Sequence, residues 1–277
     1  MKKGLLFLMI IILAFLSGCT TDRTEGMEEF KVEHTYEKSD RVTIALLDTG
    51  VSETAIQSEH LLKGYNYVTN SYDTEDMINH GTAVASVILG CKSAGVEGAA
   101  VDAYIVPLVV VTKEEGKTVS VSPDILAKAI RDSVDVYGAD IINISLGIKK
   151  DEPKLLQAVK YAEEKGVLVV SAVGNGGSSA TLYYPAAYDM VMAVGSCDKY
   201  GQESDFCQSG YDVLAMGEDI WLASRNGIRY GACGTSYATG YVAATAADIL
   251  MHEKDLSLTE LRNRIIEKAT ALGGYLH

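Results

Sequence analysis

Four residues of this chain have the chemistry to activate a hydroxyl group together: Asp48, His80, Asn175 and Ser236. A serine hydroxyl is a weak nucleophile at neutral pH. It needs a base to take its proton, and an imidazole can do that. The imidazole in turn needs a carboxylate to fix its tautomer and stabilise the imidazolium. An oxyanion forming on the attacked carbon needs donors already in place, which a side-chain amide and a backbone N–H can supply. The stretch Gly234-Thr-Ser236-Tyr-Ala-Thr-Gly240 runs into Ala243, Ala244, Ala246 and Ala247. That pattern predicts a helix of small residues with Ser236 just inside its start, beside free N–H groups and at the positive end of the helix dipole. The same place suits a plain N-cap, so the meaning of Ser236 depends on what stands upstream.

What stands upstream is a series of strands and helices that end or begin at the other polar residues. Residues 41–47, Arg-Val-Thr-Ile-Ala-Leu-Leu, read as a buried parallel strand stopping at Asp48-Thr-Gly50. Asp48 then lies at a strand's carboxyl end, where open α/β sheets place their sites. Asn79-His80-Gly-Thr-Ala-Val-Ala-Ser opens a helical stripe of Val84, Val87 and Ile88, which Gly90 can close. Further strands are expected at 103–111, 140–145, 167–171 and 191–194. Helices are expected after Ser122-Pro123 and after Asp151-Glu-Pro153. Asn175 falls in the glycine-rich turn Val173-Gly-Asn-Gly-Gly177 that follows a strand. Strand and helix alternating at this spacing mean right-handed βαβ units, a mostly parallel twisted sheet and helices on both faces. The fold class is α/β in three layers, with one domain over 41–277.

The amino end is of another kind. Lys2 and Lys3 precede a short apolar run that ends in Leu16-Ser-Gly-Cys19. This is a signal peptide over residues 1–18, and its ending resembles a bacterial lipobox, which implies a lipid on Cys19. Residues 19–40 are then a lipidated, polar tether. The expected location is the extracytoplasmic face of a bacterial cell membrane. The chain carries a formal charge of −13, and losing Lys2 and Lys3 with the signal makes it about −15. So acidic a domain does not look for nucleic acid. Cys91, Cys197, Cys207 and Cys233 lack zinc spacing. Cys197 and Cys207 flank a turn and could pair across a hairpin in an oxidising compartment; spacing leaves this open.

The segments Ala45-Leu-Leu-Asp48-Thr-Gly-Val51, Asn79-His80-Gly-Thr-Ala-Val-Ala85 and Gly234-Thr-Ser236-Tyr-Ala238 resemble the Asp, His and Ser motifs of the subtilisin-like serine proteases, in that family's order. Ile142-Asn-Ile-Ser145-Leu-Gly147 resembles the segment that pairs with substrate, and Val173-Gly-Asn175-Gly the oxyanion segment. The resemblance implies an endopeptidase acting through an acyl-enzyme, with Ser236 as nucleophile, His80 as general base and acid, Asp48 as its orienter and Asn175 as oxyanion donor. It also implies that Ser145, Leu146 and Gly147 pair with an extended peptide, that Gly147 and Gly176 leave room for a side chain, and that Tyr183 floors the pocket. No cofactor is expected. The family's usual calcium loop is not evident between Gly90 and Gly98, where Glu97 is the one acid. The expected partners are a peptide or protein substrate and, through Cys19, the membrane; the chain is expected to be a monomer.

The chain departs from the family at Ala83, where a second His is usual, and at Gly240 and Tyr241, where Pro and His are usual. Gly240 is expected to loosen the helix start. Residues 20–40 are too few for the pro-domain that extracellular members carry, so unaided folding or help from another chain is expected. Size and anchoring suggest a dedicated processing protease such as a leader peptidase. The alternative is an inactive, lipid-anchored peptide-binding protein on the same fold. Aspartic-protease chemistry would need a second Asp-Thr-Gly or Asp-Ser-Gly, and none is present.

Overall fold

A computed structural model describes residues 41–277, apart from 57–58, 115–116 and 119–120. The signal peptide, Cys19 and the tether lie outside the described residues. In chain order the elements are β1 (Thr43–Asp48), β2 (Tyr65–Asn66), α1 (His80–Leu89), a 3₁₀ turn (Lys92–Ala94), β3 (Tyr104–Val109), β4 (Lys113–Glu114), β5 (Lys117–Thr118), α2 (Pro123–Asp135) and β6 (Ile141–Ile144). Then come α3 (Pro153–Glu164), β7 (Leu168–Ala172), β8 (Met192–Cys197), β9 (Val213–Met216), β10 (Ile220–Ala223), β11 (Arg229–Ala232), α4 (Thr235–His252), α5 (Leu258–Ala271) and β12 (Tyr275–Leu276).

Eight strands form one sheet in the order β12-β9-β8-β7-β6-β1-β3-β2, and every pairing in it is parallel. From β1 the chain moves to one side for β3, then returns across β1 to β6 and continues outward. The order therefore reverses between β1 and β6, the kind of crevice where open α/β sheets bind ligands. Leu47 is in register with Ile144, so Asp48 and Ser145, one residue on, reach the carboxyl rim side by side.

The strands β1, β3, β6, β7 and β8 have alternate faces, and both are buried. Ile44 and Leu46 of β1 pack with α1, α4 and α5 through Val84, Val242 and Leu261. Ala45 and Leu47 face the opposite layer, with Leu126 and Ile130 of α2 and Leu155 and Val159 of α3. This double burial explains the unbroken apolar runs of the strands. Each fully buried Leu or Ile contributes roughly 2 kcal/mol by removal of its surface from water.

Helix α4 crosses the back of the sheet and is its central prop. Ala238, Ala243, Ala244, Ala246 and Ala247 are fully buried, and only small side chains let a helix lie that close to several strands. Gly240 does not loosen the helix start as expected. It is the sixth residue of an 18-residue helix. A Cβ there would stand 3.3 Å from Val84 Cγ1 and 3.4 Å from Val87 Cβ of α1.

The four described cysteines are free thiols. The residue paired across from Cys197 is Glu203, not Cys207. Cys207 Sγ instead accepts the Ser196 N–H at 3.3 Å. Burial pushes the Cys197 thiol up to about 12, so it stays protonated.

Candidate active site

Asp48 closes β1, is 1% exposed, and holds the imidazole of His80, the first residue of α1. Its Oδ1 lies 2.8 Å and its Oδ2 3.0 Å from His80 Nδ1. The carboxylate can only accept, so Nδ1 carries the proton and Nε2 presents a lone pair. Burial by itself draws the His80 pKa down. The charge of Asp48, the hydrogen bond to it and the charge of Asp76 together outweigh burial and hold the pKa above its ordinary value.

The loop that delivers His80 is organised by Asp76, which the sequence reading missed. Asp76 is fully buried. Its Oδ1 accepts the N–H groups of Ile78 at 2.9 Å and Asn79 at 2.7 Å, and the Thr49 hydroxyl at 2.8 Å. Its Oδ2 accepts the N–H of Thr82 at 2.9 Å and its hydroxyl at 2.7 Å. The Thr49 hydroxyl also accepts the Gly81 N–H at 2.8 Å. Thr49 thus ties the Asp48 loop to the start of α1. The one signal in the sequence was an acid a few residues before a helix start, which is too common to single out.

Ser236 is the second residue of α4 and 9% exposed. Its hydroxyl donates to the Ser145 carbonyl at 3.1 Å. The Ser145 hydroxyl donates back to the Ser236 carbonyl at 3.0 Å and accepts the Asn143 amide at 3.0 Å. The side chain of Ser145 is therefore committed to holding the start of α4 against the end of β6. The next residue, Tyr237, places its ring 6.1 Å from the His80 ring, centroid to centroid.

Asn175 reaches the same helix start from the turn after β7. Its Oδ1 accepts the N–H of Thr235 at 3.0 Å and its hydroxyl at 2.9 Å. These two donors fix the amide orientation, and the Nδ2 faces the Gly234 side, 3.5 Å from where a Cβ on that residue would stand. The arrangement offers an N–H donor beside the Ser236 N–H at a helix start.

The expected pocket residues lie around this centre. Residues 145–147 continue from β6, and just beyond them Ile148 and Tyr184 exchange two backbone bonds of 2.8 Å. Leu146 is half-buried against the α2–α3 layer. The room that Gly147 leaves is taken up: a Cβ there would fall 2.7 Å from Tyr183 Cβ. Gly176 likewise admits Ala180, whose Cβ would be 2.7 Å away, and its N–H donates to Gln208 Oε1 at 3.2 Å. Tyr183 stands between Gly147 and Gly174. The loop between Gly90 and Gly98 closes through backbone bonds between Cys91 and Val96. Among the described residues no group of three or more His, Cys, Asp or Glu could hold a metal ion.

The model of the subtilase family matches residues 39–277. The chain belongs to that family. Its class is subtilisin-like serine endopeptidase. A thermophilic serine proteinase from Bacillus sp. (strain AK1) is 37% identical over 237 residues, which are 83% of this chain and 57% of that protein. The subtilase thus spans less than three fifths of that relative. Subtilisin DY of Bacillus licheniformis is 32% identical over 88% of this chain and 89% of its own length. Among solved structures, Sphericase superposes with a TM-score of 0.74 at 29% identity over 83% of each chain. A structure described as the prenylagaramide maturation protease PagA gives 0.68 at 29% identity, covering 82% of this chain and 81% of that one. The fold is the subtilisin-like three-layer fold.

Proposed function

We propose that this subtilase is a membrane-anchored processing endopeptidase with Ser236 as its nucleophile. The observation that carries the reading is the buried Asp48–His80 pair facing the start of α4, where Ser236 stands. An extended substrate strand lies along residues 145–147. The Ser236 hydroxyl turns from the Ser145 carbonyl to His80 Nε2, gives up its proton there, and its oxygen bonds to the substrate carbonyl carbon. The carbonyl oxygen becomes the oxyanion, and Asn175 Nδ2 and the Ser236 N–H donate to it. His80 then returns the proton to the leaving amine as the C–N bond breaks. Water, deprotonated by the same imidazole, cleaves the resulting ester. Asp48 stabilises the imidazolium in both halves.

The Leu-Ser-Gly-Cys19 ending supports a lipid anchor, which needs two or more acyl chains to be firm. The described chain enters β1 at its amino end, and Asp48 is at the other. The likeness to a structure named as a maturation protease supports a processing role, and removal of leader peptides from exported peptides is the activity proposed. Fluorophosphonate labelling tests the chemistry. The wild type is expected to label and Ser236→Ala to remain folded and unlabelled. A folded wild type that does not label overturns the reading. Indiscriminate degradation of casein, with no preferred site in a peptide library, overturns the processing role alone.

A further inference from the structure

Gln208 lies between β8 and β9 and is fully buried. A buried amide needs partners for both its oxygen and its nitrogen. Gln208 finds both on the segment that carries and follows Asn175. Its Oε1 accepts the Gly176 N–H at 3.2 Å, and its Nε2 donates to the Thr181 carbonyl at 2.6 Å. Its backbone N–H donates to the Gly174 carbonyl at 3.2 Å. The residues on both sides of Asn175 are therefore bonded to one glutamine. Both are glycines, and the glutamine is one reason for that. A Cβ on Gly174 would fall 2.2 Å from Gln208 Oε1, and a Cβ on Gly176 would fall 3.1 Å from the same atom. The carboxamide sits in the space that two missing side chains leave. Gly174 also has φ 112°, a conformation that other residues rarely adopt. One residue further, the Gly177 N–H donates to the Phe206 carbonyl at 2.8 Å, so the whole turn lies against residues 206–208.

We infer that Gln208 is a positioning residue for the oxyanion donor, holding the backbone on either side of Asn175 so that Nδ2 stays aimed at the reacting centre. This rests on the reading of Asn175 as that donor. Thr235 fixes the Asn175 amide from the α4 side, through the two bonds to Oδ1. Those bonds set how the amide is turned and leave the backbone behind it free. That backbone runs through Gly174, Gly176 and Gly177, and glycine is the residue with the most conformational freedom. Gln208 supplies the restraint that the glycines lack. A donor stabilises the oxyanion only if it is in place before the charge develops. Gln208 touches no reacting atom and acts through Asn175. Misplacement of such a group by about 1 Å can cost on the order of 100-fold in rate. The oxyanion exists only after attack, so the loss falls on kcat and leaves KM.

The test uses the full-length enzyme in four forms: wild type, Gln208→Met, Asn175→Ala and the double variant. Methionine keeps the length of the side chain and removes its polar end. Gln208→Met alone is expected to lower kcat by about 5- to 50-fold, with KM within about twofold of wild type. In the Asn175→Ala background the same change is expected to lower kcat by no more than about twofold, because the donor it positions is already gone. An equal loss in both backgrounds, or a loss confined to KM, overturns the inference. So does a lowered unfolding midpoint with kcat within about twofold of wild type, which makes Gln208 a structural residue only. Should Gln208→Met fail to fold, Gln208→Asn carries the same cycle, since it keeps an amide but is one methylene too short to reach both partners. An Asn175→Ala variant with kcat near wild type removes the donor assignment instead, so the two failures are distinct.

Discussion

Replacing Asp48 by Asn removes one charge and leaves the shape. Asp48 Oδ1 accepts two donors, the Thr49 N–H at 2.7 Å and the His80 Nδ1–H at 2.8 Å. In the variant the amide oxygen keeps the Thr49 bond, because the backbone N–H can only donate. The amide nitrogen then takes the Oδ2 place, 3.0 Å from His80 Nδ1. Two N–H groups cannot face each other, so Nδ1 becomes the acceptor and the ring proton moves to Nε2. The base is then blocked where it must accept the Ser236 proton. The charge lost is a second effect. Opposite charges about 4 Å apart at an effective dielectric of about 20 attract by about 4 kcal/mol, which is roughly 10³ in rate if it falls wholly on the imidazolium. Tautomer and charge together are expected to lower kcat by about 10³- to 10⁴-fold. The assay is hydrolysis of a chromogenic peptide over a range of pH, with protein that keeps the wild-type circular dichroism. In the wild type, activity is lost as pH falls through the raised His80 pKa, so the acid limb should lie above the ordinary histidine range. In the variant any residual limb should move to lower pH. A loss below tenfold in folded protein, or a limb that does not move, would refute the assignment of Asp48.

Asn175→Ala is expected to lower kcat by about 10²- to 10³-fold with little change in KM, as loss of an oxyanion donor does; an equal rise in KM would point to substrate binding instead. Asp76→Ala leaves five donors without the buried carboxylate they share. It is expected to destabilise the fold by at least about 3 kcal/mol, read as a fall in the urea midpoint. Cys19→Ser should abolish incorporation of labelled fatty acid and release the protein from membranes; unchanged labelling excludes Cys19 as the lipid site.

The parts of the fold that were legible in the sequence are those where one local rule acts alone. Continuous β-branched runs marked β1, β3, β6, β7 and β8, and Ser122-Pro123 and Asp151-Glu-Pro153 marked the openings of α2 and α3. The short strands β2, β9 and β12 were not legible. Each is two to four residues long and exists because a neighbouring strand offers its edge. Helix α5 was missed although it carries a signal. Ser257 and Glu260 form a reciprocal capping box, with Ser257 N donating to Glu260 Oε2 at 2.8 Å. At the site, Asp48, His80, Asn175 and Ser236 stood out because their chemistry is selective and each ends or begins an element. Asp76 and Thr49 did not. Thr49 meets Asp76 across 27 residues of chain, and nothing local records that; the bonds of Asp76 to Ile78, Asn79 and Thr82 are local, but an acid a few residues before a helix start is too common to single out.

The departures from the family motif fall on the helices that carry the base and the nucleophile. Ala83 is on α1, three residues after His80, and Gly240 is on α4, four residues after Ser236. Both are buried. A histidine at 83 would need a partner inside an apolar cluster. A proline at 240 would put ring atoms where Val84 and Val87 already stand within 3.4 Å of a single Cβ. Small residues at both places let α1 and α4 pack closely, and that packing brings two helix starts to one rim of the sheet. On the roles proposed above, the atoms that touch the reacting carbonyl belong to Ser236 and Asn175, outside both departures, so changes at positions 83 and 240 are expected to leave the chemistry intact.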